Sequence, residues 1–186
     1  NLGLRMAQIL WLPLVLFIGA GMVFEKWART MGSPKKQYMA LALYVVAQSF
    51  ILLPLLMIAK MTAAQKGQDV SSMIGSAGIL TGVIFGGMTI TSFVSKKDFS
   101  FMGRTLHMLS FAAMGFIIVS MVFSVNLGNI FALAMVVLMA GYVLYYTSTI
   151  TRHYPVGSHV AASLALFSAI ATMFWYVLML FMGSRD

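Results

Sequence analysis

Few side chains in this sequence can hold a proton, a metal or a nucleophilic oxygen, and where they stand limits the chemistry. Three histidines, His107, His153 and His159, fall at or beside loops rather than in the middle of apolar runs. Imidazoles gathered at one level can ligate zinc, copper or iron, so a three-histidine metal site is one reading. Interfacial histidines with one wet face is the other, and it needs no ligand. A haem would want axial ligands deep in a bundle, and the apolar runs offer none. All four acids, Glu25, Asp69, Asp98 and Asp186, stand in loops, at helix ends or at the terminus. Ser163, Ser168 and Thr172 are candidate nucleophiles, but a hydroxyl needs a base within hydrogen-bond reach, and no acid or histidine lies at their depth. Back-bonding or bridging between helices is the role left to them. The chain has no cysteine, which removes disulfides, thiol catalysis and thiolate-bound metal together. Its 17 methionines are scattered, as adaptable packing residues are, with no closely spaced pairs to line a metal path. The expectation is a protein that is not an enzyme and holds no cofactor and no metal.

The elements that carry these residues are set by composition. Of 186 residues, 61% are hydrophobic and 9% charged, and the mean hydropathy is +0.94, whereas a soluble domain is about one quarter charged. A spanning helix needs roughly 20 apolar residues. Six such segments can be marked, at about 6–24, 38–59, 71–94, 105–125, 129–150 and 160–182. They are too long for barrel strands and lack their alternation, and an unpaired backbone is not tolerated in lipid. The predicted fold is an all-α integral membrane protein, one six-helix bundle over 1–186 with no separate soluble domain. The first segment is too long for a signal-peptide core and has no small-residue cleavage site behind it.

A net charge of +8 would suggest nucleic acid in a soluble protein. Here the basic residues sit in short loops and alternate between the two ends. Lys26, Arg29, Lys35, Lys36, Lys96, Lys97, Arg104 and Arg152 fall at one end, and Arg5, Lys60, Lys66 and Arg185 at the other. The richer end is expected to face the cytoplasm. The C-terminus then lies on the opposite side, lipid is the first partner, and nucleic acid is excluded.

Within the segments, Gly78, Gly82 and Gly86 recur every four residues along one face, the spacing that lets two helix backbones approach closely in lipid. Thr81 and Thr89 flank that stripe. Pro13 and Pro54 stand inside segments and are expected to kink or locally open them. Tyr145 and Tyr146 lie near the end of the fifth segment, where amphipathic rings commonly sit. In the loop "SKKDFSFMG" (95–103), Lys96 and Lys97 orient the helix before it. Asp98 is placed to cap the helix after it, and Phe99 and Phe101 to seat the turn at the interface.

The run "AGILTGVIFGGMTITSFVSKKDFSFMGRTL" (77–106) resembles the Bax inhibitor family, which includes the bacterial YccA-like proteins. The match is carried by Lys96, Lys97, Asp98, Phe99, Ser100, Phe101 and Gly103. "SFILLPLLMIA" (49–59), "GYVLYYTSTI" (141–150) and the last apolar segment are similar to family helices in the same order. The resemblance implies a seven-helix bundle whose last helix is surrounded by the others. The six segments match its second to seventh helices, and the family's first helix is expected to lie outside this sequence. It also implies a proton-sensitive calcium leak, latched by two aspartates of the last two helices. Here those latch positions read Tyr146 and Ser168, so the latch has no carboxylates. Two readings of Tyr146 stay open: an interfacial ring, or a neutral hydroxyl contact to Ser168 that keeps the bundle closed.

These readings converge on a multi-pass protein of a bacterial inner membrane that works through helix contacts. It would modulate, or be an accessory subunit of, a membrane complex, for example a membrane protease of the kind the resemblance implies. The competing reading is an ion leak channel or transporter for Ca²⁺ or H⁺ with a non-carboxylate gate. Its polar track would pass Gln48, Ser120, Ser124, Tyr146, Ser168 and Thr172.

Overall fold

A computed structural model describes residues 34–95, 97–123, 128–155 and 157–183. They form five helices: α1 (Pro34–Gln65), α2 (Val70–Val94), α3 (Met102–Phe123), α4 (Gly128–His153) and α5 (His159–Gly183). Each is long and apolar enough to cross a membrane, and no strand occurs among the described residues. Long apolar runs become helices because only intrahelical bonding pairs every backbone group without water. The predicted spans 38–59, 71–94, 105–125, 129–150 and 160–182 each fall on one of these helices, whose ends lie up to six residues away. The segment expected at 6–24, and Pro13 within it, lie outside the described residues. Pro54 lies inside α1, which stays α-helical through it.

The described residues divide between two compact units. One contains the described parts of Asn1–Leu56 and Pro155–Leu164, the other those of Met57–Tyr154 and Ala165–Asp186. In the first, the Tyr38 hydroxyl and His159 Nε2 share a hydrogen bond of 2.9 Å.

In the second unit, α2 and α3 both pack against α4. Half of the most apolar stretch of α4 is buried, against 17% for α2 and 11% for α3, so α4 is the inner helix of that trio. The face of α2 that is buried carries Met73, Ala77, Thr81 and Ser92, positions that recur along one side of a 3.6-residue helix.

Helix ends in this unit are closed by short-range chemistry. After α1 the chain turns left-handed at Gly67 (φ 63°), where a Cβ would be strained. The Gln68 N–H then bonds the Ala63 carbonyl at 2.9 Å and the Gly67 N–H bonds that of Ala64 at 3.3 Å, a Schellman ending. Asp69 caps α2 by accepting the Ser72 N–H at 3.0 Å. The last turn of α5 leaves carbonyls with no intrahelical donor. Lys66 Nζ donates to the Met182 carbonyl and Asn129 Nδ2 to that of Gly183, each at 2.9 Å. An ammonium there also complements the negative end of the helix dipole. Replacing both donors, Lys66→Met with Asn129→Leu, should lower stability by about 1–3 kcal/mol in total. The check is the thermal midpoint in mild detergent, and an unchanged midpoint would show that solvent satisfies these carbonyls equally well.

Candidate functional site

One group of charged and polar side chains of the second unit gathers where the α2–α3 turn meets the last two turns of α4. The turn is built locally first. Ser95 ends α2 with its N–H on the Thr91 carbonyl at 2.9 Å, and its hydroxyl accepts the Lys97 N–H at 3.3 Å. Asp98 Oδ1 accepts the Ser100 N–H at 2.9 Å, an Asx turn. Met102 N–H to the Phe99 carbonyl (3.0 Å) and Gly103 N–H to that of Ser100 (3.3 Å) start α3. Asp98 therefore caps the turn that precedes the helix. The expectation that it caps the helix itself is corrected, because α3 begins four residues further on, beyond its reach.

Helix α4 then grips the turn. The Ser148 hydroxyl accepts the Phe99 N–H at 3.0 Å and donates to Asp98 Oδ1 at 3.2 Å. His153 Nε2 lies 2.9 Å from Asp98 Oδ2, with the two side chains 52% and 44% exposed. Ser100 and Thr149 share a hydroxyl contact at 3.3 Å. Arg152 Nη2 spans the carbonyls of Ser95 (3.4 Å) and Lys97 (3.3 Å). The Ser100 hydroxyl and backbone N–H, then His153, hold the Asp98 carboxyl well below its ordinary value, and partial burial opposes this only weakly. These contacts favour the ionised form of Asp98, which acts here as an acceptor. The order of contacts is also unlike a hydrolytic triad, where histidine stands between serine and acid. Here the carboxylate stands between Ser148 and His153, and the serine oxygen is already engaged on both sides.

A second cluster lies beneath the turn. Gly103 is buried, and a Cβ there would fall 2.8–2.9 Å from the Tyr145 ring. Only glycine lets α3 start against that ring. His107 Nδ1 bonds the Gly103 carbonyl, so Nδ1 carries the proton, a carbonyl being only an acceptor. Rings of Tyr142, Tyr145 and Tyr146 pack with centroids 5.2–6.4 Å apart, and His107 stands edge-on to Tyr142 and Tyr145. The Tyr142 hydroxyl bonds that of Ser110 at 2.9 Å.

The residues singled out in the sequence are distributed as follows. Asp98, Phe99, Ser100 and Gly103 converge on α4. Lys97 contributes its backbone and Phe101 is 77% exposed, while Lys96 lies outside the described residues. Tyr146 joins the tyrosine cluster and Ser168 is half-buried on α5. No three side chains of metal-ligating type converge among the described residues; His107, His153 and His159 are engaged by Gly103, Asp98 and Tyr38. The close helix approach expected at Gly78, Gly82 and Gly86 is not made by any described residue. Gly78 and Gly82 are exposed, and a Cβ built on any of the three meets nothing within 4 Å. The packed face lies one residue over, at Ala77 and Thr81, a rotation of about 100°. Ser148, Arg152 and His153 were missed as partners of the turn. The capping role of Asp69 was missed as well, although an Asp immediately before an apolar run signals it.

Among the described residues, five membrane-length helices with no Asp or Glu inside them define a multi-pass α-helical membrane protein. Its family follows from the whole chain: the family model described as "Inhibitor of apoptosis-promoting Bax1" matches residues 2–186, and the protein belongs to the Bax inhibitor family. No curated protein matches it.

Two outcomes follow from this geometry. Gly103→Ala should destabilise the protein by about 1–3 kcal/mol through overpacking. Tyr145→Ala should recover much of that loss in the double variant, and thermal melts showing additive effects would rule out the contact. A carboxyl held below its unfolded value gives stability that is present above that value and is lost as pH falls through the folded one. The turn should therefore stay clamped through mildly acidic pH and loosen only in strong acid. Hydrogen exchange at the Phe99 and Ser100 amides tests this: protection lost between pH 6 and about 4, within the ordinary carboxylate range, would contradict it.

Proposed function

We propose that this protein is a non-enzymatic member of its family that acts through helix contacts, as a modulator or accessory subunit of a membrane complex such as a membrane protease. The observation that carries the reading is the open glycine face of α2. Gly78 and Gly82 stand exposed with no described side chain over them, which is the surface a partner helix needs for close approach in lipid. In support, the spans α1 to α5 contain no Asp or Glu, and the ionised group at the clamp is already engaged by Ser100, Ser148 and His153. In this reading the family's helices two to seven are present as six spans of a bacterial inner membrane. The basic ends with Lys97, Arg104 and Arg152 face the cytoplasm, and the C-terminus lies outside. Protein and lipid are the partners; catalysis, cofactor and metal have no part.

A non-carboxylate ion leak is favoured by a different observation, the buried oxygens of Gln48, Thr89, Ser92 and Thr147 that no described group pairs. The two readings separate experimentally. Gly82→Leu should leave the thermal midpoint nearly unchanged, since its side chain enters open space, yet dissolve the native-gel complex. Migration of the unmodified protein as a lone monomer would sink the subunit reading. Robust pH-gated Ca²⁺ flux in liposomes, matching that of a Tyr146→Asp, Ser168→Asp variant, would establish the leak instead.

A further inference from the structure

A hydroxyl in a lipid-embedded helix normally closes on the carbonyl one turn back, since little else at that depth accepts its proton. Thr81 does so to Ala77 and Thr91 to Gly87, each at 2.8 Å, and Thr151 to Thr147 at 2.9 Å. Thr89, Ser92 and Thr147 break this rule. Their Oγ atoms are fully enclosed and bond to no described residue, and Ser92 and Thr147 are only 5% and 4% exposed. All three belong to α2 and α4, the helices packed against each other. Arg152 brings the ends of these two helices together by holding the Ser95 carbonyl, so they run parallel. Ser92 precedes Ser95 by about 4.5 Å of helix and Thr147 precedes Arg152 by about 7.5 Å. Allowing for the reach of the arginine side chain, the two share a level, with Thr89 one turn deeper.

We propose that the α2–α4 contact holds a small hydrated site, one or two water molecules bound by the hydroxyls of Thr89, Ser92 and Thr147 and supplied from the Asp98 end of the bundle. A buried water wants two to four polar partners, and these hydroxyls supply them. A cation is the weaker occupant. Hard cations want several oxygens including charged ones, whereas the carboxylate at the entrance is engaged by Ser100, Ser148 and His153.

The sign of a substitution decides the matter. If the Thr147 hydroxyl is merely stranded, the near-isosteric Thr147→Val removes an unsatisfied group and raises the thermal midpoint. If it holds water, the same change strands the water's other partners and lowers it. We expect Thr147→Val and Ser92→Ala each to lower the midpoint by about 2–4 °C, and the double variant to fall by less than their sum because they share the water. Thr147→Ser, which keeps the oxygen, should stay near the parent. A raised or unchanged midpoint, or strictly additive losses, would overturn the proposal. Should Thr147→Val fail to fold, Ser92→Ala still gives the sign, and a high-resolution structure lacking ordered density between the Ser92 and Thr147 oxygens would overturn it equally.

Discussion

A carboxylate cannot stay ionised in hydrocarbon without a partner, and this constraint governs where charge stands in the described helices. The five helices contain no acid, so charge pairing is pushed out to the connections. There Asp98 becomes the joint between elements. One oxygen takes Ser100 and Ser148, the other His153, and the same stretch of α4 reaches the carbonyls of Ser95 and Lys97 through Arg152. Apolar packing alone has little directional preference in lipid, because lipid tails are as apolar as leucine. Directional bonds at the helix ends therefore set how α2, α3 and α4 are placed along one another.

That division explains which features could be read from the residues. The existence of the helices was legible because length and hydropathy are enough where backbone must pair with itself; α2 and the predicted span 71–94 differ by one residue. The conspicuous loop 95–103 was legible as a unit, since charges amid an apolar sequence stand out. Its partners were not. Ser148 and His153 lie about fifty positions further on, and nothing in a local pattern marks a serine on an apolar helix as an acceptor for a distant amide.

Faces were harder still. In a soluble helix the buried stripe is the apolar one, but α2 is apolar all round, so its hydropathy cannot tell lipid from protein. The glycines pointed to one face by their spacing, and the buried face is Met73, Ala77, Thr81 and Ser92 instead. Small and weakly polar residues suit that contact: Ala77 permits closeness and Thr81 satisfies itself on its own backbone. Glycine spacing describes what a helix can do in lipid. Which neighbour uses it depends on where the directional bonds have already placed the helix.

The same logic separates the two latch designs open to a bundle of this family. A pair of carboxylates sharing a proton can switch, because losing or gaining that proton changes the charge in a low-dielectric site. At Tyr146 and Ser168, where the resemblance implies such a pair, there is no carboxylate to share a proton, and Tyr146 is instead packed within the tyrosine cluster. These tilted and edge-on rings hold by area and shape, which do not respond to protons. The ionised acid that remains, Asp98, is held by hydroxyl, amide and imidazole, all of which favour its charged form. The contacts at Asp98 thus all work in one direction, toward a turn that stays held to α4 in mild acid. On α2, whose end this turn fixes to α4, the described residues leave the face of Gly78 and Gly82 open.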